Sequence, residues 1–296
     1  MPISQTYYLS VDQKEYFAEN GFLKLSQVIS PLFLNELRIA VDTICSVENH
    51  DSDCTVLESS NKKFVVAIDK IIAKSNSIFV ELMGSPLLLS IAESLCGADF
   101  FPVQDFIVIK TLGDQNEINW HQDVITTAHE KSFMIGFYLD AANDENGALR
   151  VIPNSHRSNL SICELQKMEY QSLDMEAGDV LIHNLKMAHS SGELTSFPQR
   201  RVVYFEFMSA SEILKEQIYS ESFISLRTQL IPNAIQCFQQ KYREAIPFKW
   251  NHPEKDRYLP NSNPHSFIQE LHQEPKKVKA ANYCFDFVGW QSSVNQ

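Results

Sequence analysis

Residues 178–192 read GDVLIHNLKMAHSSG, and this stretch shows the pattern that decides the fold. The short apolar run Val180–His183 follows a Gly-Asp turn signal, and a second histidine, His189, comes six residues after His183. Similar apolar runs occur at Phe106–Lys110, Phe133–Leu139 and Val202–Phe207, separated by Gly, Asn, Asp and Pro. Short strands with frequent turns are typical of a β-sandwich or barrel. We therefore expect a β core over about residues 100–210.

Helical patterns lie on both sides of this core. Ser10 and Gln13 have the spacing of a capping box, and Ser30-Pro31 supplies an N-cap with proline at the first helical position. Further expected features are a strand at 22–25, a polar surface loop at 46–63, a helix at 77–95, helical texture at 211–245 and an irregular segment at 246–282. The pattern predicts a single domain over residues 1–296, with a helical N-terminal part (1–99), the β core (about 100–210) and a helical or irregular extension (211–296).

Composition excludes several classes of protein. The chain has 296 residues, 44% of them hydrophobic, and a formal net charge of −12 whose acidic excess lies within residues 1–210. This apolar fraction is too high for a disordered chain, and the acidic balance disfavours nucleic acid and anionic membranes as partners. No apolar run approaches the roughly 18 residues of a membrane span, and the N-terminus lacks the pattern of a signal peptide. The six cysteines contain no C-x-x-C pair, so we expect scattered reduced thiols in a cytoplasmic protein.

Three histidine–acid pairs have the spacing H-x-[DE], which lets an imidazole and a carboxylate point to one face of a strand. They are His121/Asp123, His252/Glu254 and His272/Glu274. Short patterns of this kind arise by chance in a chain rich in His and acids, so each needs a structural context. Only His121/Asp123 lies among the predicted strands. We expect the other two pairs to be solvated loop residues.

Five segments occur in a characteristic order along the chain. They are ENGF at 19–22, WHQD at 120–123, ENGALRVIPNSHR at 145–157, GDV at 178–180 ahead of a histidine, and RR at 200–201. Together they resemble the phytanoyl-CoA dioxygenase family of Fe(II)/2-oxoglutarate-dependent oxygenases over most of residues 12–207. The resemblance implies a mainly β fold with flanking helices, in which a double-stranded β-helix (jelly-roll, cupin-like) core is wrapped by N- and C-terminal helices.

The resemblance also implies a metal site. Its ligands and catalytic residues would be His121, Asp123 and His189. Two imidazoles and one carboxylate on one face leave three adjacent positions open on Fe(II). In the family, 2-oxoglutarate chelates the iron through its keto oxygen and C1 carboxylate, and O2 takes the remaining position.

The far carboxylate of 2-oxoglutarate needs a fixed bidentate cation, which favours arginine over lysine. In the family this arginine lies eleven residues after the second histidine, which is Arg200 here, with Arg201 as the alternative. Ser191 matches the family's hydroxyl contact to the cosubstrate, and Lys110 matches a family lysine on the strand before the H-x-D triplet.

Other residues near these segments have structural interpretations. His183 is expected to serve a structural or substrate-side role, because a fourth ligand would close a position that the iron needs. Trp120 is interpreted as a packing residue, and the basic residues of 150–157 as organisers of their loop. Asn154 stands where the family has glycine, and asparagine is well suited to a left-handed conformation.

The predicted activity is hydroxylation of an unactivated C–H bond of a small molecule, such as an amino acid or specialised metabolite, with release of succinate and CO2. Halogenating relatives lack the carboxylate, so Asp123 favours hydroxylation, desaturation or ring formation. Two alternatives stay open: a metal-binding jelly-roll protein without oxidation chemistry, and a protein side-chain hydroxylase with a wide groove. The segments 46–63, 124–132 and the C-terminal tail are the predicted determinants of specificity.

Overall fold

The computed structural model describes residues 3–46, 53–74, 77–123, 131–271 and 281–284. Its strands are β1 (Phe22–Leu25), β2 (Cys54–Ser59), β3 (Lys62–Asp69), β4 (Phe100–Thr111), β5 (Ile118–Gln122), β6 (Ser132–Tyr138), β7 (Leu149–Val151), β8 (Gln171–Leu173), β9 (Val180–Asn184), β10 (His189–Ser191), β11 (Gln199–Ser209) and β12 (Asn282–Tyr283). Its helices are α1 (Val11–Asn20), α2 (Pro31–Cys45), α3 (Ile78–Met83), α4 (Pro86–Cys96), α5 (Ile162–Leu165), α6 (Ala210–Lys215), α7 (Glu221–Thr228), α8 (Leu230–Lys241) and α9 (Pro264–Leu271).

Two antiparallel sheets form the centre of the molecule. The larger sheet has the order β1-β9-β6-β11-β4-β3-β2, and the smaller has the order β12-β5-β10-β7-β8. All of the strand pairs are antiparallel. The predicted fold class is therefore confirmed: a mainly β, jelly-roll core with flanking helices.

The continuous apolar run at Phe133–Leu139 forms β6, which is buried on both faces. Its odd-numbered residues, such as Ile135, belong to the cluster formed with the helices. Met134 and Tyr138 belong to the cluster between the two sheets. A strand covered on both faces needs no polar alternation, which explains why this run lacks it.

The helix starts follow the sequence signals. Ser10 and Gln13 form the full capping box of α1, and Ser30 caps α2 ahead of Pro31. The single helix expected over 77–95 is instead two helices, because the chain turns at Gly84-Ser85 and restarts with Pro86 at the first helical position of α4.

Two other local expectations are wrong. Residues 53–63 of the expected surface loop contain β2, the whole turn and the start of β3, which form a hairpin that extends the larger sheet. Residues 47–52 lie outside the described residues. The N-terminal part is thus not only helical, since it supplies three strands. In the segment 246–282, expected to be irregular, Pro264–Leu271 is helical. These strands and helices gain their stability from burial against the core, which local composition does not report.

The expectation of six reduced cysteines is corrected by a disulfide between Cys163 and Cys284. The two residues are 121 positions apart in sequence, and the fold brings their Cα atoms to 4.9 Å. Their pairing depends on tertiary contacts, so sequence spacing gave no sign of it. The free cysteines are Cys45, Cys54, Cys96 and Cys237.

No helix within the described ranges combines the length and apolar character that crossing a membrane requires.

Candidate metal centre

Two histidines and an aspartate converge on the inner face of the smaller sheet. His121 on β5 and His189 on β10 are directly opposite each other in the strand pairing, with ring centroids 4.1 Å apart. Asp123 follows β5, and its Oδ1 lies 3.4 Å from Nε2 of His121 and 3.7 Å from Nε2 of His189. One ligand atom from each residue lies within 4.8 Å of the other two. The three predicted ligands are therefore together in the structure.

Both histidines are held with one ring nitrogen free for a metal. Nδ1 of His121 is 2.8 Å from the Asn119 carbonyl oxygen, and Nδ1 of His189 is 2.9 Å from that of Met187. An N–H at Nδ1 that donates to a carbonyl leaves the Nε2 lone pair for coordination, the usual arrangement of metal-binding histidines. Two such imidazoles and a carboxylate match the donor set of non-haem Fe(II).

The charge states of the three residues differ strongly. Burial lowers the pKa of His189 to about 3, aided by the neighbouring charge of His121. Burial alone would lower the pKa of His121, but the hydrogen bond and charge of Asp123 raise it. Burial opposes ionisation of Asp123, yet the three surrounding histidines hold its pKa well below the ordinary value. The site therefore keeps an anionic carboxylate and a neutral His189, both ready to bind a cation.

His183 on β9 contacts the same carboxylate from the larger sheet. Its Nε2 lies 3.3 Å from Oδ2 of Asp123, whereas His121 and His189 approach Oδ1. This geometry leaves Oδ1 for the metal and assigns Oδ2 to His183. The arrangement agrees with a structural role for His183 and does not require it as a ligand.

A narrow cavity of about 90 Å³ opens beside the three ligands. Both sheets line it, so they face each other across it. Its apolar wall consists of Phe106, Val108, Ile118, Met134, Leu149 and Tyr204. Arg200 and Ser191 are also part of the lining.

Arg200 and Arg201 point to opposite sides of β11. Arg200 is 2% exposed, lines the cavity and donates from Nη1 to the Gly147 carbonyl, while its Nε has no hydrogen-bond partner among the described residues. Arg201 donates from Nε and Nη2 to Asp140 and from Nη1 to Asp42. Arg201 is therefore committed to ion pairs outside the cavity, and Arg200 faces into it.

The other two residues predicted to contact the cosubstrate differ in whether they reach the cavity. Ser191 on β10 lines the cavity. Lys110 is fully buried beside Arg200 in the strand pairing, but its Nζ donates to the carbonyls of Asn116 and Gly192, and it does not line the cavity. The structure brings Arg200 and Ser191 to the metal centre and places Lys110 behind them.

The remaining interpretations can be checked residue by residue. Asn154 has φ of 64°, the left-handed conformation anticipated for it. His156 lies with Nε2 3.1 Å from the Ala18 carbonyl oxygen and so ties its loop to α1. Trp120 packs against the Tyr170 ring, in agreement with a packing role.

The second H-x-[DE] pair is not solvated as expected, because His252 is buried between the rings of Trp250 and Tyr258. Its partner Glu254 pairs with Arg257, so these residues form no metal site. The third pair, His272/Glu274, and most of the segment 124–132 lie outside the described residues.

Sequence reasoning missed the contact between His183 and Asp123 and the ring of Tyr283 on β12, which stacks on His121. His183 was singled out from its position six residues before His189, but its sequence position did not indicate which residue it would contact. Nothing in the sequence indicated Tyr283, which comes 94 residues after His189.

Comparison with known proteins shows several similarities. A family model described as phytanoyl-CoA dioxygenase matches residues 17–202. The chain is 24% identical over 230 residues to dioxygenase lolE1 of Epichloe uncinata, covering 73% of this chain and 90% of that protein. It is 26% identical over 156 residues to L-proline trans-4-hydroxylase of Streptomyces griseoviridis, covering 51% of this chain and 56% of that protein. The fold is similar to the crystal structure of EctD from S. alaskensis with 2-oxoglutarate and 5-hydroxyectoine, with a TM-score of 0.60, 19% identity and coverage of 72% and 82% of the two chains.

Proposed function

The chain belongs to the phytanoyl-CoA dioxygenase family, and from that premise we propose that it is an Fe(II)- and 2-oxoglutarate-dependent dioxygenase that hydroxylates a small molecule. One observation carries the proposal. His121, Asp123 and His189 present ligand atoms within 4.8 Å of one another, on the wall of a cavity that also holds the buried cation Arg200.

The protein's own residues have separable tasks in this reaction. His121, Asp123 and His189 would hold Fe(II), which together with 2-oxoglutarate and O2 supplies the oxidising chemistry when bound. Arg200, whose Nε has no partner within the described part of the chain, would bind the far carboxylate of 2-oxoglutarate, and the Ser191 hydroxyl would donate a further hydrogen bond to it.

The apolar wall would position the C–H bond that reacts. Phe106, Met134 and Tyr204 surround the centre on the side of the larger sheet. A dry, closely fitting wall excludes water from the reacting atoms and fixes the substrate in one orientation.

We further propose that the substrate is a small polar metabolite, such as an amino acid or a related compound. Two similar proteins support this class, since one is an L-proline trans-4-hydroxylase and the EctD structure contains 5-hydroxyectoine. The narrow cavity is better suited to a small molecule than to a protein side chain presented in a wide groove.

Succinate release provides the test. The Fe(II)-loaded protein is incubated with 2-oxoglutarate, O2 and a panel of amino acids and metabolites, and products are detected by mass spectrometry. We expect substrate-dependent succinate in the wild type and its loss, by at least about a hundredfold, in Asp123→Ala, because one of three metal ligands is removed.

Asp144→Ala is the matched control, since it removes an exposed carboxylate in a loop. The control should keep wild-type turnover. Unchanged succinate production by Asp123→Ala would contradict the proposed function. Metal binding by the wild type without 2-oxoglutarate turnover would favour a metal-binding jelly-roll protein without oxidation chemistry.

A further inference from the structure

The strand β12 lies along the outer side of the metal-bearing strand β5. Asn282 pairs with Gln122 and Tyr283 with His121, and Nδ2 of Asn282 donates to Oε1 of Gln122 at 3.3 Å. The Tyr283 ring stacks on the His121 imidazole, with centroids 4.9 Å apart and planes inclined by 16°. One face of the smaller sheet therefore carries the row Tyr283, His121, His189.

A disulfide fixes the end of this strand. Cys284 directly follows β12 and is bonded to Cys163 on α5. Both cysteines pack beside Trp120 against a small cluster of buried residues: Ile152, Ile162, Leu165 and Ala188. Both are only half-buried, so a small reductant can reach the bond. The neighbouring Gln166 adds a contact of 3.4 Å to the Cys284 sulfur.

We propose that residues 281–284 form a strap in which Tyr283 positions the His121 imidazole, and that the Cys163–Cys284 disulfide holds this strap in place so that its reduction releases the ring. The part concerning His121 as a metal ligand rests on the proposed function. The closure of the strap by the disulfide does not.

The strap depends on the disulfide because the strand that it contains is only two residues long. The pairing of a two-residue strand offsets little of the entropy lost when a chain segment is ordered. The disulfide tethers Tyr283 close to His121 and so raises the effective concentration of the tyrosine ring beside the imidazole. Without it, the same contacts must order the segment alone.

The redox step is a two-electron exchange with a dithiol. The S–S bond breaks, the sulfurs of Cys163 and Cys284 each take one electron and one proton, and the dithiol loses two electrons and two protons as it closes to its own disulfide. The strap is then closed in an oxidising medium and open in a reducing one. Because Tyr283 contacts a proposed ligand, opening alters how firmly the His121 ring is held.

Hydrogen–deuterium exchange tests the strap without any metal. We expect the amides of β5 to exchange faster after treatment of the wild-type protein with dithiothreitol, while those of the central strand β6 are unchanged. The variant Cys163→Ser, studied under oxidising conditions, should behave like the reduced wild type, because it removes the disulfide and leaves residues 281–284 intact. Alkylation of the denatured but unreduced protein should label four of the six cysteines, because the other two are joined in the disulfide.

Labelling of all six cysteines before reduction, or equal exchange of β5 in oxidised and reduced protein, would overturn the strap. Cys45→Ser controls for the loss of a thiol, since Cys45 is free and lies at the end of α2. This variant should keep wild-type exchange in β5.

Titration with Co(II), followed by its visible absorption, tests the positioning of His121. We expect Tyr283→Ala and Cys163→Ser to raise the Kd for Co(II) by about three- to tenfold, as loss of an aromatic pair predicts. Tyr283→Phe should stay within about twofold of the wild type because it keeps the ring. Cys163→Ser represents the reduced state here, since thiol reductants bind Co(II) themselves.

The two measurements separate the two proposals. Equal Kd values for the wild type and Tyr283→Ala would overturn the positioning role. A wild-type protein that binds no Co(II) would refute the proposed function and with it the role of Tyr283, whereas the exchange experiment alone would still decide whether the disulfide holds the strap.

Discussion

Arg200 and Arg201 show how a one-residue shift along a strand changes the role of a side chain. Successive side chains of β11 point to opposite faces, so Arg200 enters the cavity between the sheets and Arg201 reaches Asp42 and Asp140. The two guanidinium groups are chemically identical. Their partners alone distinguish a residue free to bind a ligand from one that stabilises the fold.

Substitution of each arginine by glutamine should therefore give opposite results. We expect Arg200→Gln to raise the Kd for 2-oxoglutarate about 10- to 100-fold, because a charge-assisted pair is lost. Arg201→Gln should leave that Kd unchanged and lower the free energy of unfolding by about 2–3 kcal/mol, since Asp140 loses its hydrogen bonds to the buried guanidinium and keeps the longer contact with Arg38. Calorimetric titration of the Co(II)-loaded protein and urea denaturation measure the two effects, and weakened 2-oxoglutarate binding in Arg201→Gln would contradict the assignment.

Lys110 makes the stability of the apo-protein depend on pH. Burial, aided by the Arg200 charge, lowers its pKa from 10.5 to about 7, so between these values the unfolded chain binds a proton that the folded protein does not. The free energy of unfolding should rise with pH over this range, by at most about 1.4 kcal/mol per unit, and fall as pH returns to 7. Lys110→Met removes the group, so the difference between wild type and variant in urea titrations isolates it. A difference independent of pH between 7 and 10 would refute the shifted pKa.

Single elements were predicted well where one local signal decided them. Four signals each depend on residues that are neighbours in the sequence: the capping box of α1, the Pro31 start of α2 and the apolar runs of β6 and β9. The break between α3 and α4 was missed because an isolated glycine within an apolar run is compatible with a continuous helix. Close packing explains the glycine at this break, because an added Cβ at Gly84 would lie 2.0 Å from the Ala234 carbonyl oxygen of α8.

Gly84→Ala should consequently destabilise the junction of α3, α4 and α8. The carbonyl of Ala234 belongs to helix backbone and cannot move aside without shifting α8, so we expect a loss of about 3 kcal/mol. Gly113→Ala is the matched control, because its φ of 91° is strained for alanine but nothing lies within 4 Å of the added Cβ. The control should lose about 1 kcal/mol in the same urea denaturation. Similar losses in both variants would show that close packing at Gly84 is not the cause.

The metal centre joins the two sheets of the whole molecule. The three proposed ligands come from the smaller sheet, while His183 and Arg200 reach the candidate site from the larger one. Binding of a metal should then stabilise the assembled jelly roll against unfolding, because the ligands are together only in the folded chain.

Metal addition should raise the Tm, and removal by a chelator should reverse the rise. At a Co(II) concentration 100-fold above Kd, the gain is about 2.7 kcal/mol. The gain should shrink as pH falls, because the raised pKa of His121 lets protons compete with the metal. Differential scanning calorimetry with His189→Ala as the control measures it, and an equal rise in that variant would point to binding elsewhere.

The sequence by itself determined the class of fold, the three predicted ligands and the order of the family segments. Each of these depends on residues close in the chain or on a pattern that can be recognised in the sequence alone, such as H-x-D on one face of a strand. Tertiary structure alone decided which arginine faces the cavity, which oxygen of Asp123 meets His183, and that Cys284 and Tyr283 return to His121. These contacts join residues tens to more than a hundred positions apart, and their distances are fixed by how the sheets pack.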